Sequence, residues 1–66
     1  MNWDRVEGNW KQMKGKVKEQ WGKLTDDQID QAAGKRDQLV GLVQEQYGLA
    51  RDRAEQDVDS WLSNQR

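Results

Sequence analysis

The sequence contains no cysteine, no histidine and no proline. Without cysteine there is no disulfide to staple the fold and no thiol chemistry. Without histidine the chain lacks the commonest metal ligand and the side chain best suited to proton transfer near neutral pH. Without proline, nothing forbids helix at any position. Runs of apolar residues are also missing: none approaches the ~20 needed to cross a bilayer. The start, Met1-Asn2-Trp3-Asp4-Arg5, has neither the basic opening nor the apolar stretch of a signal peptide. The expectation is a cytoplasmic protein with no membrane span.

What remains is 66 residues, of which 35% are charged and 33% hydrophobic. A chain this short hides only about 60% of the surface its unfolded form exposes. With no disulfide or zinc site, it must rely on apolar packing, helix propensity or association. Four tryptophans favour a folded core, because each buries a large apolar area. The net charge of −1 is unevenly placed. Residues 1–24 carry six basic groups against three acidic ones, hence +3, and residues 25–66 carry five against nine, hence −4. That division suits attraction within the fold and equally suits head-to-tail contact between copies.

Apolar residues recur at Trp3, Val6, Trp10, Met13, Val17, Trp21 and Leu24, in steps of three and four that mark one helix face. The spacing predicts a first helix from about Asp4 to Trp21, with Gly22 suited to a left-handed C-terminal cap. Gly8-Asn9 leaves two readings open: a continuous helix, or a break at which Asn9 and Gln12 form a capping box. Thr25-Asp26-Asp27-Gln28 is a second start signal. Thr25 and Gln28 can cap reciprocally, and the aspartates lie where the helix dipole favours negative charge. A short helix should follow through Ile29, Ala32 and Ala33 and stop near Gly34. A third carries Leu39, Val40, Leu42, Val43 and Tyr47 and ends at Gly48. A fourth places Ala50, Ala54, Val58, Trp61 and Leu62 on one face, with 63–66 fraying.

An internal repeat organises these segments. Gln12–Gly22 aligns with Gln38–Gly48 at an offset of 26 residues, with matched glycines and a shared Glu-Gln-aromatic-Gly ending. The predicted fold is all-α: a single domain over 1–66, a compact four-helix arrangement of two packed α-hairpins, about 3–33 and 35–62. Gly15 and Gly41 fall inside the predicted helices, where each costs roughly 0.5–1 kcal/mol relative to alanine. They either loosen the helices or admit a close neighbour where the hairpins cross.

The residues exclude more chemistry than they offer. The hydroxyl candidates Thr25, Ser60, Ser63 and Tyr47 have no histidine or cysteine beside them to form a nucleophile–base pair. The acidic residues fall mostly on solvent-facing positions, so the chain reads as no enzyme, with no small-molecule substrate. The sets Asp26, Asp27, Asp30 and Asp52, Glu55, Asp59 lack the alternating oxygens and central glycine of a calcium loop. Helix-terminal charge and i,i+4 pairing explain them better, and no metal or cofactor is expected. Lys11, Lys14 and Lys18 share one flank of the first helix, which Arg5 extends. This is the one candidate interaction surface, able in principle to neutralise phosphates. The slightly acidic whole and the lack of a recognition motif count against nucleic acid. A membrane-surface role for the first helix would require the fold to open first, because its tryptophans are core material. Partners are not specified by the residues, and self-association stays open.

The segment Gly8-Asn9-Trp10-Lys11-Gln12-Met13-Lys14-Gly15-Lys16-Val17-Lys18-Glu19-Gln20-Trp21-Gly22-Lys23-Leu24-Thr25-Asp26-Asp27 resembles the signature of the CsbD-like family of small bacterial general stress-response proteins. Gly34–Gly41 and Gln44–Gly48 extend the resemblance, which runs from about Asn2 to Gly48 and loosely into the last helix. Met13 stands where an aromatic residue is common, and Ser60–Asn64 is less typical. The resemblance implies a hydrophilic, cytoplasmic, helical protein linked to general stress. It implies no catalytic residue, cofactor or partner to carry over.

Overall fold

Asn9 sets the architecture of the N-terminal half. In the computed structural model, which describes residues 2–65, the backbone leaves helical geometry there, at φ −114° and ψ 24°. The first apolar stripe therefore forms two helices, α1 (Trp3–Gly8) and α2 (Trp10–Gln20). With α3 (Asp26–Ala32), α4 (Arg36–Tyr47) and α5 (Arg51–Ser63), the described residues hold five helices, not the four that the spacing predicts. The physical reason is local. Gly8 weakens helix continuation, and Asn9 satisfies the carbonyls left at the end of α1. Its backbone N–H is shared between the Arg5 and Val6 carbonyls, at 3.0 and 3.2 Å. Its side-chain amide donates to Arg5 O at 3.1 Å. Asn9 thus closes α1 and does not form the capping box with Gln12, since its side chain caps nothing in α2. At the other end of α1, the Asn2 Oδ1 accepts from Arg5 N–H at 2.9 Å.

The second start signal forms in full. Gln28 N–H donates to Thr25 Oγ1 at 3.1 Å and Thr25 N–H donates to Gln28 Oε1 at 2.9 Å, a complete capping box at the head of α3. The helix ends through two left-handed residues, Ala33 at φ 52° and Gly34 at φ 77°. Gly34 is buried, and a Cβ there would lie 2.5 Å from Glu7 Cα. The α3–α4 turn is thereby seated directly on the backbone of α1. Gly48 also takes the left-handed conformation, at φ 64°, and ends α4. Gly22 does not. α2 ends at Trp21, with φ −125°, and the turn closes through Leu24 N–H to Trp21 O at 3.1 Å.

Fourteen apolar residues make the core, and no polar or charged described residue is buried. Every member of the first stripe is among them except Trp3, which is half-buried against it. The indole N–H of Trp10 donates to Ile29 O at 2.9 Å. The Trp61 ring lies between Trp3 and Trp21, with centroids 6.3 and 5.7 Å away. Helices adjacent in the chain pack on one another throughout. The aligned positions Met13/Leu39 and Val17/Val43 are all core, and α2 and α4 begin 26 residues apart, at Trp10 and Arg36.

Gly15 and Gly41 meet nothing within 4 Å of where a Cβ would stand. The close-neighbour reading of these glycines is thus set aside, and what remains is their entropic cost. Replacing both with alanine is expected to stabilise the protein by roughly 1–2 kcal/mol in urea unfolding, with the fold unchanged.

Candidate interaction surface

The structure places the four basic residues singled out by the sequence on two helices. Arg5 lies on α1, before the bend at Asn9; Lys11, Lys14 and Lys18 follow on one flank of α2. Lys14 Nζ pairs with Asp30 of α3 at 2.5 Å. Lys18 Nζ donates to the Leu24 carbonyl. Both lysines therefore hold the α2–α3 connection in place. Between them lies an open groove of about 430 Å³ lined by Lys14, Gly15, Lys18, Asp26, Ile29 and Asp30. Its walls carry both signs of charge, so it is no simple anion cradle. Arg5 and Lys11 are exposed and make no ion pair with any described carboxylate. The free part of the basic surface is thus Arg5 and Lys11 at the α1–α2 bend. The same connection is fixed at its far side by Lys23, whose N–H donates to Tyr47 Oη at 3.2 Å and whose Nζ sits 5.1 Å from that ring's centre.

The densest electrostatic feature is one that sequence reasoning missed. Arg36, the first residue of α4, reaches across to α5 and makes a bidentate pair with Asp59, Nε–Oδ1 2.9 Å and Nη2–Oδ2 3.1 Å. It also bonds Glu55 at 3.2 Å. Arg51 links Asp37 and Glu55 into the same network, at 3.4 and 3.8 Å. The i,i+4 spacing of Glu55 and Asp59 was the available signal that α5 presents two carboxylates to one partner. Nothing in the chain's local order names Arg36 as that partner. The Arg51–Glu55 and Arg53–Asp57 pairs are the i,i+4 contacts the spacing suggests. Among the described residues no group of three or more carboxylates is placed to hold a metal ion.

The Arg36 guanidinium holds Asp59 below the usual carboxylate range, and Asp59, followed by Glu55, raises Arg36 in turn. Asp59 is half-exposed, so solvent screens the pair and its coupling should be modest, roughly 0.5–1 kcal/mol near neutral pH. A carboxylate whose folded pKa is depressed stabilises above its unfolded value, near pH 4, and loses that contribution as pH falls through the folded value. A double-mutant cycle of Arg36→Gln and Asp59→Asn should therefore give a constant coupling from pH 7 to pH 5 that fades below pH 4.

The capping box, the glycine turns and all of the core except Val58 and Trp61 fall within residues 4–56, the span over which the chain matches the CsbD-like family model. The chain belongs to the CsbD-like family. Its relatives include a UPF0337 protein of Rhodopseudomonas palustris, 62% identical over 63 residues and covering 96% of each chain. The UPF0337 protein YjbJ of Escherichia coli is 67% identical over 61 residues, 92% of this chain and 88% of that one. A UPF0337 protein of Agrobacterium fabrum is 65% identical over 65 residues, 98% of this chain and 97% of its own. The CsbD-like proteins are a general stress-response family without characterised mechanism and are not known as enzymes. In this member, no helix of the described residues is long and apolar enough to cross a membrane.

Proposed function

We propose that this CsbD-like protein is a non-enzymatic cytoplasmic stress protein that acts physically, by limiting the association of other macromolecules. The observation that carries this reading is the complete segregation of its groups. Among the described residues the core is entirely apolar, and the charged side chains, both basic and acidic, lie outside it. Such a surface is strongly hydrated and offers other proteins little apolar area to adhere to. Interposed between destabilised macromolecules, it separates them without binding any one tightly. The test is a labile enzyme dried and rehydrated with a molar excess of the protein. Recovery of activity and reduced light scattering, relative to an unrelated folded protein of the same size, are expected. Equal aggregation in both samples would overturn the reading.

A second reading rests on Arg5 and Lys11, which have no carboxylate partner among the described residues. In it, the basic α2 flank docks an acidic partner. A partner recovered from stressed cells and lost on charge reversal of Lys11, Lys14 and Lys18, with the fold retained, would favour this reading over protection. The carboxylates of Asp26 and Asp30 beside that flank argue against nucleic acid. We also read the 26-residue repeat as two α-hairpins, α2–α3 and α4–α5, packed into one core, with α1 as an addition to the first. The matched helix starts and shared core positions support it.

A further inference from the structure

We propose that α1 is an exchangeable arm, and that two copies of this chain form a dimer by trading it. The carrying observation is a mismatch between pattern and geometry at Asn9. A helix break usually ends one apolar face and begins another. Here the face runs through the break without changing phase. On a straight helix Trp3, Val6, Trp10, Met13, Val17 and Trp21 would share an arc of about 80°. The stripe therefore suits two conformations: the bent pair α1–α2, and a single helix from Trp3 to Gln20.

Asn9 closes α1, but the joint is held only from that side. It is one residue long and has no side-chain cap on the α2 side. Among the described residues, no backbone bond runs from Trp10 or Lys11 N–H back to the carbonyls of α1. Straightening supplies those two bonds, to Val6 and Glu7, because they are the i→i−4 bonds of a continuous helix. At six residues, α1 has little helical stability of its own, so its docking decides where it lies.

Straightening within one copy would project Trp3 and Val6 into water. It would also uncover Trp61 and the notch at Gly34, which fits the α1 backbone around Glu7 closely enough that even a Cβ would collide. That notch and the Trp61 ring are surfaces that fit α1, and every copy carries them. The occupant that satisfies both exposed parts is therefore the arm of a second copy, placed reciprocally about a two-fold axis, with each notch filled in trans by the contacts now made in cis.

The test starts from the whole chain refolded at millimolar concentration and analysed by size-exclusion chromatography with light scattering. A discrete dimer that reverts slowly on dilution is expected. Gly8→Ala with Asn9→Ala strengthens the straight helix and should raise the dimer association constant at least tenfold. Adding Trp3→Ala to that pair removes the arm's anchor and should return the protein to monomer with helix content retained. Inserting two glycines between Asn9 and Trp10 lets the arm dock in cis without strain, and should abolish the dimer whatever Trp3→Ala does to folding. The proposal is overturned if the wild type and the double alanine variant both stay monomeric. It is equally overturned if a dimer persists undiminished in the glycine-insertion variant, since contact would then run through another surface.

Discussion

Trp61→Ala is expected to leave the protein largely unfolded in plain buffer. The ring is 5% exposed and sits between Trp3 and Trp21, so it joins the start of α1, the end of α2 and the last helix. Removing a buried tryptophan of this kind costs about 3–5 kcal/mol. A 66-residue domain has in total only roughly 3–10 kcal/mol to lose, at the usual stability per residue. No disulfide limits the damage. The two tilted aromatic pairs add about 0.5–1.5 kcal/mol each beyond area burial. Urea titration followed by far-UV circular dichroism should show a midpoint near zero denaturant for Trp61→Ala. Trp61→Phe, which keeps a ring in place, should retain a clear folded baseline. A Trp61→Ala protein with a midpoint close to wild type would mean that the last helix is not part of the core.

The second large effect is Gly34→Ala, expected to cost about 2–5 kcal/mol. Two penalties combine there. The backbone is left-handed, at φ 77°, which strains an L-residue by roughly 1–2 kcal/mol. The new methyl would also stand 2.5 Å from Glu7 Cα and 2.9 Å from its nitrogen, so backbone must move, and overpacking of this kind adds about 1–3 kcal/mol. Gly48→Ala is the internal control. Its φ of 64° gives the same strain, but nothing lies within 4 Å. The difference between the two losses, read from urea midpoints, measures how firmly α1 is seated on the α3–α4 turn. Equal losses at the two positions would show that the seat does not exist in solution.

These two residues also mark the limit of what the chain reveals on its own. Features closed within a few residues were legible. The Thr25–Gln28 box, the stop at Gly34 and the turn at Gly48 all depend on neighbours three or four positions away. The core was legible because apolar periodicity reports burial whichever partner covers it, and the repeat showed the same positions, Met13/Leu39 and Val17/Val43, facing inward twice. The break at Asn9 was ambiguous for a stated reason: the apolar phase is the same on both sides, so periodicity is blind to it. Gly34 read as a stop but not as a contact, because Glu7 is distant in the chain. Gly22 read as a left-handed cap from its place at the end of the first stripe, but Lys18 and Leu24 close that turn by another route. At the candidate surface, the partners of the lysines were not legible. Helical spacing placed Lys11, Lys14 and Lys18 on one flank correctly, yet Asp30 and the Leu24 carbonyl, which occupy two of them, come from across a turn. Arg36 was invisible as a hub because Glu55 and Asp59 lie on a different helix.

The fold rests on one apolar core, and the Trp10 side chain samples its closure directly. Proton–nitrogen correlation spectra recorded after transfer into deuterated buffer follow the indole N–H of each tryptophan separately. The Trp10 signal should persist longest, with protection matching the global unfolding free energy, because that N–H is buried against the Ile29 carbonyl. Loss of the Trp10 signal at the rate of a free indole, together with the other three, would contradict the account.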